Sequence, residues 1–158
     1  MVLRTARPTG RRGAAAVEFA LLSPLLVALL LGVWEVGRLI QVNQILSNAA
    51  REGGRQASTG LLSNSQVQTV VLQYLQRAGL PTANATVTVT NVTSSSRDAT
   101  AAQQLDQFRV TVTIPVADIK WVALSLITTS SSTLSATTVW YSLRDQDYPA
   151  TITPPSGS

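Results

Sequence analysis

Residues 11–34 read RRGAAAVEFALLSPLLVALLLGVW, and residues 35–57 continue as EVGRLIQVNQILSNAAREGGRQA. Between Ala14 and Trp34 the one charged residue is Glu18. A run of about 20 apolar residues spans a bilayer as a helix. Pro24 lies inside the run, where it removes a backbone hydrogen bond and bends the helix. Membrane helices tolerate that better than soluble ones. Past the run, Val36, Leu39, Ile40, Leu46, Ala49, Ala50, Gly53 and Ala57 recur at helical spacing, with Gln41, Asn43, Gln44, Asn48, Arg51 and Arg55 between them. The pattern predicts one helix from about residue 15 to about residue 57. Its first half lies in lipid, and its second half is amphipathic and covers a folded domain. Gly53-Gly54 either ends this helix, bends it, or lets it approach a sheet closely.

Downstream, Val67, Val70, Val71, Tyr74, Leu75 and Ala78 make one apolar stripe, with Ser63 or Asn64 as N-cap and Gly79 and Pro81 as stop signals. After Pro81 the period changes to two. NATVTVTNV, FRVTVTIPV and STLSATTVWYSL each alternate apolar with Thr, Ser or Arg, as strands with one buried face do. Pro115 marks a strand end or an edge. Thr93–Leu105 reads as a loose polar loop, DIKWVALSLI as a short helix or a covering loop, and TITPPSGS as a frayed tail. The expected class is α+β. A long N-terminal transmembrane helix runs into a small domain with a second helix and a three- to four-stranded antiparallel sheet. The expected layout is a basic cytoplasmic leader at 1–13, a transmembrane helix at 14–35, an extracytoplasmic domain at 36–148 and a disordered tail at 149–158.

Charge narrows the function classes. The chain carries +4, but Arg4, Arg7, Arg11 and Arg12 supply four positive charges, and from Ala14 onward eight basic residues balance eight acidic ones. The body therefore lacks the basic face that a nucleic-acid binder needs. The leader arginines read as a positive-inside flank that keeps the N-terminus in the cytoplasm. The chain contains neither Cys nor His, which excludes thiolate chemistry, disulfides and the usual zinc sites. Asp98, Asp106, Asp118, Asp145 and Asp147 form no recognisable catalytic pair or metal motif, and the serines lack a nucleophile-elbow context. No catalysis, cofactor or metal is expected.

Gly13 precedes a small residue, Ala14, and then an apolar helix with Glu18 at its fifth position. Gly13 carries no side chain and can enter a protease cleft in extended form. This arrangement resembles the type IV prepilin processing site, where a membrane protease cuts after the glycine. The wider pattern of Gly13, Glu18, Phe19, Pro24, Glu35, Gly37, Arg38 and Ala49 to Arg55 resembles the TadE-like family of tight-adherence, Flp-type pilus systems. The resemblance covers roughly residues 10–60. It implies a minor pilin or pseudopilin that is cut between Gly13 and Ala14, sits in the inner membrane with its N-terminus cytoplasmic, and presents its domain to the periplasm or exterior, or within the pilus. Implied partners are the membrane, a prepilin peptidase, the major and other minor pilins, and the inner-membrane assembly machinery. In that family the glutamate corresponding to Glu18 neutralises the new amino terminus of a neighbouring subunit. A competing reading of Glu18 is a helix-dipole or headgroup-level charge.

Glu35, Arg38, Arg51, Glu52 and Arg55 cluster at the membrane exit and beyond. They read either as a solvated helix face with weak ion pairs or as an inter-subunit register device. A different function class also fits the topology: a single-pass protein with an uncleaved signal anchor and an extracytoplasmic binding domain. A cleaved secretory signal is the weakest reading, because GVWEVGRLI offers no small-x-small site.

Overall fold

The computed structural model describes residues 10–120 and 132–144. The leader residues 1–9, residues 121–131 and the tail from Asp145 lie outside the described residues.

Helix α1 spans Gly10–Thr59, 50 residues without a break, or about 75 Å at the standard rise. Pro24 sits within it. Proline cannot donate to the Ala20 carbonyl one turn back. The Ser23 hydroxyl donates to that carbonyl instead, at 3.3 Å. Gly60, with φ +66°, follows the last turn and ends the helix.

Helix α2 spans Asn64–Arg77 and begins with a capping box, in which the Ser63 hydroxyl accepts from the Gln66 N–H and the Gln66 side chain accepts from the Ser63 N–H. Its C-terminus closes as a Schellman motif. Gly79 takes φ +75°, Leu80 N–H reaches Leu75 O, and Gly79 N–H reaches Gln76 O, both at 3.0 Å.

Strands β1 (Thr86–Asn91), β2 (Gln107–Pro115) and β3 (Thr133–Tyr141) form one antiparallel sheet in the order β1-β2-β3. Val89 faces Val110, Val112 faces Ala136, and Phe108 faces Trp140. One face buries Val89, Phe108, Val110, Val112, Ile114 and Ala136. The other is a carpet of Thr and Ser with cross-strand hydroxyl pairs, Thr111 with Thr137 at 3.0 Å and Thr113 with Ser135 at 3.1 Å. Pro115 closes the central strand and caps the short helix α3 (Val116–Ile119). The fold is α+β, as the period change at Pro81 predicts.

The second half of α1 lies across the inner face of the sheet and against α2, through Val42, Leu46, Ala49, Ala50 and Ala57. One detail differs from the periodicity reading. Val36 and Ile40 are exposed, at 45% and 56%. At about 100° per residue they fall well away from the line of Val42 and Leu46, so the stripe includes Val42 and extends back to Glu35 instead. Of the three readings of Gly53-Gly54, close approach to the sheet is the one the structure bears out, and the helix continues through both glycines. A Cβ on Gly53 would meet Val71 Cγ2 at 2.6 Å and Val110 Cγ1 at 3.1 Å, and one on Gly54 would overlap the Trp140 indole.

These glycines let the helix backbone touch both layers, which fixes the sign of a simple test. Helix propensity alone favours Ala over Gly by about 1 kcal/mol. Overpacking costs about 1–3 kcal/mol, and the indole is rigid. Gly54→Ala is expected to lower the unfolding temperature of the detergent-solubilised chain, followed by circular dichroism and tryptophan fluorescence. A higher unfolding temperature would contradict the close contact.

Candidate functional site

The structure places the N-terminal candidates on one continuous helix surface. Gly13, Ala14 and Glu18 are all helical and exposed, and nothing approaches within 4 Å of a Cβ built on Gly13. The helix already starts at Gly10, inside the expected 1–13 leader. Gly13 is therefore helical rather than extended. Glu18 lies more than two turns into α1, whose first turn holds no acidic residue. The helix dipole acts within the first turn, so it does not account for Glu18 in the uncut chain. Ala14 and Glu18 lie one turn apart on the same face.

From Val17 to Val33 the helix meets no other part of the described chain. Phe19, Leu22, Leu25, Leu29 and Val33 are exposed. None of the most apolar 18-residue window of α1 is buried. Among the described residues, this is the one helix long and apolar enough to cross a membrane. Such an apolar rod marks a membrane segment or an assembly surface rather than a solvated helix.

The charged cluster at the exit separates into three environments. Glu52 and Arg55 pair within the chain, with Arg55 Nη2 on Glu52 Oε1 at 2.6 Å and Nε on Oε2 at 2.9 Å. The Arg55 hydrogen bond holds the Glu52 carboxyl below its ordinary range. Arg51 is exposed and reaches Asn48 Oδ1 at 3.4 Å. Glu35 is different: it is 2% exposed, and neither carboxylate oxygen has a hydrogen-bond partner. Arg38, one turn on, does not pair with it; its Nη1 donates to Gln41 Oε1 at 3.3 Å, and its Nε is buried without a partner. The solvated-face reading thus describes Arg51, Glu52 and Arg55 but not Glu35.

Residues 13–55 match the family model of TadE-like proteins. The match runs from the glycine at the head of the apolar run to the arginine that pairs with Glu52. It covers the apolar rod and most of the stripe that carries the fold. No curated protein and no solved structure matches the chain. Residues 13–55 are thus similar to TadE-like proteins, and the α2-plus-sheet part rests on its own geometry. TadE-like proteins are not an enzyme family in general.

One structural residue escapes the sequence reading. Asp106 is 2% exposed, and its Oδ2 accepts from Asn91 Nδ2 at 3.0 Å, Arg97 Nη1 at 2.9 Å and the Gln103 N–H at 3.0 Å. The Asn91 side-chain Oδ1 accepts from the Thr93 and Ser94 N–H groups. Asp98 accepts from the Asn64 N–H at 2.7 Å, and Asn64 Oδ1 accepts from the Ala99 N–H at 3.2 Å. The 93–105 connection is therefore tied to the sheet and to α2 rather than loose. A polar, Ser-rich composition suggests freedom, but a buried carboxylate with three donors removes it.

The Gln103 N–H holds the Asp106 carboxyl below its ordinary range, helped by the Asn91 amide and the Arg97 charge and opposed by burial. A depressed folded-state value contributes stability that is present above the unfolded carboxylate pKa, about 3.9. It is lost as pH falls through the folded value. Asp106→Ala is expected to cost about 1–3 kcal/mol at neutral pH. The gap between parent and variant in urea unfolding should narrow below about pH 4. A gap independent of pH would contradict the ionised network.

Proposed function

We propose that the chain is a minor pilin, or pseudopilin, of a tight-adherence, Flp-type pilus system, processed by a prepilin peptidase and acting in pilus assembly. The observation that carries this reading is the single helix that is bare and apolar from Val17 to Val33, and from Val42 to Ala57 is part of the core of a small α+β head. A protein that enters a filament through its helix needs both halves. The TadE-like match across residues 13–55 supports the same reading. The head of two helices and a three-stranded sheet is more than a bulk subunit made of helix alone would carry.

In this proposal residues 1–13 are the cytoplasmic leader, 14–35 cross the inner membrane, and 36–148 form the extracytoplasmic pilin-like domain, with a tail at 149–158. Cleavage falls between Gly13 and Ala14. It would make Ala14 the new terminus and bring Glu18 within one turn of it. An ionised carboxylate inside lipid is expensive, so Glu18 favours a cationic partner. The new amino group of an adjacent subunit is that partner. Glu35, Arg38, Arg51, Glu52 and Arg55 are the candidates for register between subunits, with Arg51 and Arg55 the exposed ones among them. Partners are the prepilin peptidase, the major and other minor pilins and the assembly machinery.

Two substitutions test the proposal. Gly13→Trp should leave full-length precursor in the membrane, seen as an unshifted band on an immunoblot; normal maturation would sink the processing site. Glu18→Gln should insert and mature normally, since a neutral amide enters lipid more readily than a carboxylate. It should lose most of its in-membrane cross-linking to other pilins, because removing one partner of a buried pair leaves the other charge uncompensated. Cross-linking at the parental level would reduce Glu18 to a headgroup-level charge.

A further inference from the structure

Trp34, Gly37, Arg38 and Gln41 share one face of α1 and line a recess of about 360 Å³ just where the apolar run ends. Arg38 lends this recess a guanidinium with no ion-pair partner among the described residues. Its Nε–H is buried with no acceptor, and the hydrogen bond from its Nη1 to Gln41 Oε1, at 3.3 Å, is long for a charged donor. A buried donor without an acceptor is costly. Glu35 does not meet the need, since both its oxygens are themselves unpartnered. At about 100° per residue Glu35 points along the line of Val42 and Leu46, about 60° round from Arg38. No acidic residue is among the described residues that line the recess. Gly37 leaves the floor open, with nothing within 4 Å of a Cβ built on it. Trp34, 63% exposed, stands at the rim on the apolar side. An indole there suits the boundary between hydrocarbon and headgroups.

We infer that this recess binds the phosphate of an anionic membrane phospholipid, with the Arg38 guanidinium holding the phosphate oxygens. Arginine's planar fork matches a phosphodiester in two-point geometry. Trp34 packs against the glycerol and the upper acyl chain, and the Gln41 amide faces the headgroup. A choline or ethanolamine headgroup would bring an ammonium towards Arg38, so phosphatidylglycerol-type lipids are preferred. The site fixes the height and rotation of α1 in the bilayer and so the presentation of the head. The inference rests on the proposed crossing of the membrane by residues 14–35.

The test uses the full chain, first floated with vesicles and then extracted in mild detergent, with retained lipid counted by native mass spectrometry. The parent should float and keep bound phosphatidylglycerol. It should prefer that lipid to diacylglycerol, which lacks the phosphate, by about tenfold or more in competition, a factor worth about 1.4 kcal/mol. Arg38→Gln should still float but lose that preference, and Arg38→Lys should recover part of it. Millimolar inorganic phosphate should not displace the lipid; displacement would mean a free-anion site and overturn the lipid assignment. Equal retention of phosphatidylglycerol and diacylglycerol by the parent would overturn the site without using any variant. Unchanged preference in Arg38→Gln would remove Arg38 from it. A parent chain that fails to float would strike the membrane crossing itself, a failure distinct from a floating chain with no lipid preference.

Discussion

The close approach of α1 to the two layers beneath it is the contact on which the rest of the structure depends. Gly53 lies where any side chain would strike Val71 and Val110, and Gly54 where it would strike Trp140. Ala49, Ala50 and Ala57 keep the same face thin on either side. Small residues at these positions bring a helix backbone down onto a sheet and a neighbouring helix at once. The core then closes around Phe108, the largest fully buried side chain. Without that contact α2 and a three-stranded sheet would have too little apolar cover, because so small a domain depends on every buried face.

The same helix carries two incompatible surfaces, divided lengthwise rather than by face. Before Trp34 almost every side chain is exposed and apolar, which water does not favour. After Val42 one stripe is buried and the opposite face is polar. Glu35 lies on the buried stripe two turns before Val42, at the junction, with no hydrogen-bond partner. The helix runs unbroken through Pro24 and past Trp34, so one element joins the apolar half to the head.

Much of this is legible in the sequence because periodicity is a local signal. The 3.6-residue pattern gives α1 and α2, the switch to a period of two gives all three described strands, and Gly79 with Pro81 marks the boundary between them. Arg51, Glu52 and Arg55 also behave as their spacing suggests. What escapes depends on contacts distant in sequence. No local pattern says that Asp106 meets Asn91 and Arg97, because the Asn91 pairing exists only once β1 and β2 are in register. Nor does spacing reveal that Glu35 and Arg38, one turn apart, leave each other unpaired. The rescue of the Ala20 carbonyl by Ser23 was available in principle, since a Ser directly before a helix-interior Pro is a recognisable signal.

The central claim is that one helix belongs to lipid below Trp34 and to a folded domain above Val42. The chain has no cysteine of its own, so single cysteines can be placed along α1 without background and probed in membranes with a water-soluble thiol reagent. The account predicts protection at Leu22, Leu25, Leu29 and Val33, and labelling from the outer side at Asn43 and Gln44. Labelling of all six positions in intact membranes would show α1 to be a solvated helix and would contradict the account.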